Sequence, residues 1–127
     1  MPKLKQIAPT FIVSDVGETA RWYEQNLGFT IYPFPKVEPW VFASLLRDGV
    51  EIMLTRIQDY KSLDFSAQRP EGLWDAYIRM EGVKEFYNEL KTKLPIKTDL
   101  KKQSYGDWEF EIADPNGYVL VFSELTD

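Results

Sequence analysis

The chain writes the same order of patterns twice. An alternating apolar stretch, Ile7 to Val13, leads into a segment of helical spacing, Val16 to Leu27. Phe29 to Phe34 follows, and then two apolar stretches, Val41 to Leu46 and Val50 to Thr55, meet at Asp48-Gly49. Past the midpoint Asp75 to Glu81 alternates, its centre being Ala76 to Met80, and Val83 to Leu94 has helical spacing. A strand near Ile96 to Leu100 comes next; Trp108 to Ile112 and Tyr118 to Phe122 then meet at Asp114-Pro115-Asn116-Gly117. Repetition of β-α-β-β-β predicts an α+β fold of two duplicated modules, with curved mixed sheets whose hollow sides make a concave pocket. Ferredoxin-like folds also mix strands and helices in duplicate, but their helices follow different strands. The expected organisation is one domain over 1–127, with a first module at about 4–57, a linker at about 58–72 and a second module at about 73–125.

Local signals support the elements. Asp15 stands where a helix N-cap is wanted, and Glu18 three residues on makes a capping-box pattern. Val16, Ala20, Tyr23 and Leu27 fall on one face, and Gly28 follows where a left-handed residue ends a helix. Val83, Phe86, Leu90 and Leu94 repeat the spacing with a weaker cap, and Pro95 ends the run. Asp48-Gly49 between alternating stretches is a hairpin signal.

Composition excludes several functions. The chain has no histidine and no cysteine, so disulfides, thiolate metal sites and Ser-His or Cys-His nucleophile systems are ruled out. A net charge of −5 with no basic block argues against nucleic acid. It suits a cationic partner or a well-solvated surface. No apolar run is long enough for a membrane span. Met1 to Lys5 lacks the apolar stretch of a secretory signal, so a cytoplasmic home is expected.

Two stretches carry a resemblance. Pro9-Thr10-Phe11-Ile12-Val13-Ser14-Asp15-Val16, with Arg21-Trp22-Tyr23 and Leu27-Gly28-Phe29, looks like the opening of the vicinal oxygen chelate superfamily. Tyr105-Gly106-Asp107-Trp108-Glu109-Phe110, with Asp114-Pro115-Asn116-Gly117, resembles its closing signature. That superfamily includes glyoxalase I, extradiol dioxygenases, epimerases, fosfomycin-resistance enzymes and bleomycin-resistance proteins. The bleomycin-resistance branch is the best match: Pro9, Phe42-Ala43, Arg47-Asp48 with Val50, and Gln58-Asp59 look like its segments. The resemblance implies a homodimer with ligand grooves near the subunit interface, and exchange of the N-terminal strand with Pro9 near the hinge.

Metalloenzymes of the superfamily place one ligand on each of four strands. Carried over by motif, those positions fall on Pro9, Met53, Asp75 and Val121. Only Asp75 offers a hard donor, and one carboxylate cannot hold a catalytic metal. No metal, no cofactor and no catalytic residue are therefore expected.

Strand parity then sorts the pocket. Glu51, Met53 and Thr55 share one face, opposite Val50, Ile52 and Leu54. Asp75, Tyr77 and Arg79 share a face, as do Val119, Val121 and Ser123. Phe42 resembles a position that stacks on a planar drug ring, against the plainer reading of a core strand residue. Trp40 suits a pocket rim and Tyr105 a gate; Trp108 and Phe110 share parity, so at least one belongs to the core. The expected ligand-binding set is Trp40, Phe42, Glu51, Met53, Thr55, Asp75, Tyr77, Arg79, Tyr105, Trp108 and Val121. Glu51 and Asp75 would attract a cationic ligand unless Arg79 pairs with one of them.

The function expected from this set is stoichiometric binding: sequestration of a planar or cationic small molecule, by analogy a bleomycin-type antibiotic. The alternatives are a glyoxalase- or dioxygenase-related enzyme with a metal-free or displaced site, and a binder of some unidentified metabolite.

Overall fold

The computed structural model describes residues 1–57 and 70–125. The chain divides into two compact units, Met1–Ser62 and Leu63–Asp127. Each holds one four-stranded mixed sheet and one helix. The expected linker at 58–72 lies outside the described residues except for 70–72, and so does Gln58-Asp59.

The first unit runs β1 (Thr10–Ile12), α1 (Val16–Leu27), β2 (Thr30–Phe34), β3 (Phe42–Arg47) and β4 (Val50–Thr55). Its strand order is β1-β4-β3-β2, with β1 parallel to β4 and the rest antiparallel. The second unit runs β5 (Ala76–Arg79), α2 (Val83–Leu90), β6 (Thr98–Lys102), β7 (Asp107–Ala113) and β8 (Val119–Leu125). Its order, β5-β8-β7-β6, is the same permutation with the same parallel pair. The repeat read from hydrophobic pattern is thus a repeat of topology.

One face of each sheet packs on its helix. In the first unit Val16, Ala20, Tyr23 and Leu27 are buried, as are Phe11, Ala43, Leu45, Ile52 and Leu54 on the sheet. Asp15 caps α1 as expected, its Oδ1 accepting from the Glu18 N–H at 2.9 Å. Gly28 ends it at φ 73°, a left-handed conformation that suits glycine. In the second unit Phe86 of α2 meets Phe110 and Phe122 edge-on or tilted, with Ile112, Leu120 and Leu90 buried beside them.

The structure corrects several boundaries. β1 is shorter than Ile7 to Val13: its residues partnered on β4 are Thr10 through Ile12, with flanking backbone bonds at Pro9 and Val13, and the chain ahead of Pro9 does not follow β4 on to Val50. Ile7 is exposed. α2 stops at Leu90 rather than Leu94, where the Lys93 and Leu94 N–H groups both converge on the Leu90 carbonyl. Its local cap is Gly82, which has no side chain. Glu124 of β8 supplies the acceptor instead, taking the Gly82 and Val83 N–H groups at 3.1 Å each. β6 lies two residues later than expected, and β7 and β8 are longer than their apolar cores.

Candidate functional site

β7 alternates Asp107, Glu109 and Glu111 with Trp108, Phe110 and Ile112. The second set faces α2, so the three carboxylates share the helix-free face of the sheet. All are buried, at 3%, 4% and 2% exposure respectively. Buried carboxylates are costly unless paired, so their partners define the site.

Asp107 is paired with a cation: Arg79 Nη1 donates to its Oδ2 at 2.8 Å. Glu111 is held from four directions. Its Oε2 accepts from the Gly72 N–H and from Trp74 Nε1, both at 2.9 Å. Its Oε1 accepts from the Thr98 hydroxyl at 3.0 Å and from Lys97 Nζ at 3.3 Å.

Glu109 is different. Its neighbours are two phenols: the Tyr105 hydroxyl at 2.5 Å from Oε1 and the Tyr77 hydroxyl at 2.9 Å from Oε2. Among the described residues no lysine or arginine pairs with it. The Tyr77 oxygen also stands 2.6 Å from Asp107 Oδ2. A phenol has one hydrogen to donate, so Tyr77 satisfies only one of these two carboxylates at a time. Burial, and then the Asp107 carboxylate, push the Tyr77 phenol up to about 12. Burial and Glu109 raise Tyr105 likewise. Both remain neutral donors at ordinary pH.

Ser123 of β8 is registered opposite both Glu109 and Arg79. It is fully buried, and among the described residues its Oγ makes no hydrogen bond of good geometry, although it lies near the Tyr77 phenol. The segment leading into β5 lies against the same face. Glu71 accepts from Lys101 at 2.7 Å, which holds its carboxyl below the usual range, and the Trp74 ring sits 4.8 Å from Tyr77.

On the first sheet the helix-free face carries Phe42 and Ser44 from β3 and Glu51, Met53 and Thr55 from β4, as strand register requires. Tyr32 and Phe34 of the edge strand β2 stand beside them, both exposed. Glu51 accepts from the Ser44 hydroxyl and from the Gln6 side chain.

The structure therefore gathers the sequence-predicted residues into separate groups. Phe42, Glu51, Met53 and Thr55 lie on the first sheet; Tyr77, Arg79, Tyr105 and Val121 lie on the second. Asp75 adjoins the second group, but its Oδ2 accepts from the Val119 N–H at 2.8 Å. Arg79 pairs with Asp107 rather than with Glu51 or Asp75. Two residues fall elsewhere. Trp108 shares the α2 side with Phe110, its ring lying under Lys84 Nζ at 4.3 Å. Trp40 lies beneath the Arg21 guanidinium, 4.8 Å from its ring centre. It lines a pocket of about 600 Å³ at the start of α1 with Asp15, Gly17, Glu38 and Arg56. Sequence reasoning missed Asp107, Glu109, Glu111, Ser123 and Trp74.

The family metal positions do not fit a metal. Thr10, not Pro9, shares the face of Met53, since Thr10 and Met53 are Cα partners in the ladder. A hydroxyl, a thioether, a buried valine and an already-bonded carboxylate make no ligand set for a catalytic ion. Among the described residues no group of three or more acidic side chains is placed to hold one. No helix among them is long and apolar enough to cross a membrane.

The profile of the Glyoxalase/Bleomycin resistance protein/Dioxygenase superfamily matches residues 3–122, and the chain belongs to that superfamily. No curated protein matches it. Among solved structures, TioX from Micromonospora sp. ML1 aligns with a TM-score of 0.76 at 14% identity, covering 96% of this chain and 99% of that one. The bleomycin-binding protein of Streptomyces verticillus, solved with copper(II)-bleomycin, aligns at 0.68 and 18% identity, covering 96% and 97%. A virulence protein of Salmonella typhimurium aligns at 0.67 and 20%, covering 99% and 100%. At such identities these likenesses speak to the fold.

Proposed function

We propose that the protein binds a small molecule without metal and without turning it over, sequestering a planar or cationic compound such as a bleomycin-type antibiotic. The observation that carries this reading is the charge balance on the second sheet. Three buried carboxylates, Asp107, Glu109 and Glu111, face two paired cations, Arg79 and Lys97. A ligand cation would complete the set, because opposite charge in a partly dry site is favourable. Considered by itself, the first sheet shows Phe34 and Phe42 on one face, rings that suit a planar compound. The bleomycin-binding neighbour lends the analogy for ligand class.

The protein acts in this reading as a cytoplasmic homodimer, with the ligand groove near the subunit interface. Its N-terminal strand is exchanged about Pro9. Support comes from the exposed Met1, Leu4 and Ile7 ahead of β1.

Isothermal titration with copper(II)-bleomycin, preceded by a thermal-shift screen of cationic and planar compounds, tests the proposal. A saturable ligand that raises the unfolding temperature is expected. A screen in which only metal ions shift the midpoint, or in which a bound compound is converted, would overturn it. Sedimentation of the full chain checks the dimer.

A further inference from the structure

We infer that the helix-free face of the second sheet seats a primary ammonium group, with Glu109 as its counter-charge and Ser123 Oγ as a hydrogen-bond acceptor. This rests on the small-molecule reading above and narrows it to one ligand chemistry. Two observations meet here. Glu109 is a buried carboxylate whose hydrogen-bond partners are neutral phenols, the Lys101 ammonium opposite it on β6 being paired with Glu71, while the carboxylates on either side of it in the strand alternation each have a cation. Ser123 is a fully buried hydroxyl with no hydrogen bond of good geometry among the described residues, registered directly opposite Glu109 on the neighbouring strand. Buried polar groups are satisfied in most proteins, and a site that leaves one open is a site for something else.

The donor count selects the ligand. An ammonium carries three hydrogens and no acceptor. The site offers matching lone pairs on the Glu109 carboxylate, on Ser123 Oγ and on the Tyr77 phenol oxygen, whose single hydrogen is already contested by Asp107 and Glu109. A quaternary ammonium has the charge but no N–H, so it leaves Ser123 unsatisfied. An amide has an N–H but no charge, so it leaves Glu109 uncompensated.

Entry to the site runs past Tyr105. The residue is 56% exposed, yet its hydroxyl closes on Glu109 Oε1. The residue sits on a turn with Gly106 at φ 102°, outside the strand ladder. Rotation of this one side chain frees a carboxylate oxygen without disturbing the sheet.

Three probes separate the possibilities in calorimetric titrations of the full chain: 2-phenylethylamine, its N,N,N-trimethyl derivative and its N-acetyl derivative. The amine should bind about ten-fold more tightly than either derivative, as expected for charge-assisted hydrogen bonds. Ser123→Ala should weaken the amine about five-fold while shifting the thermal midpoint little, since its hydroxyl makes no hydrogen bond of good geometry among the described residues. Glu109→Gln should weaken it about ten-fold or more. Equal affinity for all three probes on the unaltered protein overturns the inference, whatever the variants do. So does unchanged affinity in both variants. If none of the three binds but copper(II)-bleomycin does, the ammonium seat is wrong and the broader reading stands. If no compound binds, both fall.

Discussion

The Tyr105 hydroxyl lies 2.5 Å from Glu109 Oε1, joining a ring that is largely in water to a carboxylate that is almost wholly out of it. They are four residues apart in sequence, on a loop and on the strand that follows. The contact places an exposed donor over the one carboxylate of β7 that no described cation pairs with. The loop and the charge are thus parts of one arrangement, and its chemistry can be tested by titration.

Tyr77 and Tyr105 should ionise later than an ordinary tyrosine. Tyr77 has its phenol moved from 10.0 to about 12, by burial first and then by Asp107. Because the folded value is raised, the folded state favours the protonated phenol. The stability this contributes is complete below pH 10 and disappears as pH rises through about 12. Absorbance at 295 nm should show a late-titrating component. Tyr77→Phe should shrink it, leaving the share of Tyr105, and lessen the loss of stability in that range. A single transition near 10 in the unaltered protein would contradict the assignment.

Glu111 should be the costliest of the three carboxylates to truncate. It accepts from a backbone N–H, an indole, a hydroxyl and Lys97 Nζ, and it binds residues 72 and 74 to β6 and β7. Glu111→Ala strands these donors, of which Lys97 is itself mostly buried. A loss of about 3 kcal/mol is expected from breaking such a network. Glu111→Gln keeps the shape and one acceptor oxygen, and should lose about 1–2 kcal/mol. Urea unfolding gives both values. Equal small losses would mean that the network carries little.

Much of the fold was legible because both kinds of element announce themselves locally. Asp15, Glu18 and Gly28 bracket α1, and Asp48-Gly49, with φ 50° and 82°, makes the hairpin turn they encode. The start of β1 was not legible, because the alternation runs back to Ile7 while the chain pairs with β4 only from Pro9 onward. The start of α2 was obscure because its cap, Glu124, comes from 42 residues downstream of Gly82. The alternation that placed Glu51, Met53 and Thr55 together could equally have found Asp107, Glu109 and Glu111. The apolar half of that strand, Trp108, Phe110 and Ile112, is the stronger signal and masks it. Which carboxylate Arg79 would choose was beyond any periodicity, since Asp107 is a partner only in three dimensions.

The ends of α1 give a calibration of the first unit. Asp15→Ala removes the acceptor for the Glu18 N–H and should cost about 1 kcal/mol. Gly28→Ala imposes a side chain at φ 73° and brings a Cβ to 3.1 Å from Arg47 Nη1, the group that donates to the Leu27 carbonyl at 2.7 Å. A loss of about 1 kcal/mol is expected for the backbone strain alone. The urea midpoint of each variant, read with an unchanged slope, checks these values.

Chelation should leave the protein as it was. The family ligand positions hold Met53, Val121 and an Asp75 bonded to the Val119 N–H, which together offer too few hard donors. Dialysis against a chelator, followed by addition of Zn²⁺, Mn²⁺ or Fe²⁺, should change neither the thermal midpoint nor the affinity for an organic ligand. A midpoint that rises with one of these ions would point to a donor set built from other carboxylates.

The rings on the first sheet should matter for binding and hardly at all for folding. Phe34 and Phe42 are Cα partners across β2 and β3, so their side chains lie on one face of the sheet. Phe34 is 66% exposed. An exposed ring contributes little to stability, because most of its apolar area stays in water. The same exposure leaves the ring free to stack on a flat ligand, which is worth about 0.5–1.5 kcal/mol for an aromatic pair. Phe34→Ala should therefore weaken copper(II)-bleomycin, or any planar compound found by screening, by about two- to ten-fold. It should shift the urea midpoint little. Phe42→Ala should weaken binding similarly but also cost some stability, since that ring is partly buried between its neighbours. If both variants bind as the parent does, the flat part of the ligand rests elsewhere, and the aromatic face of the first sheet has no share in recognition.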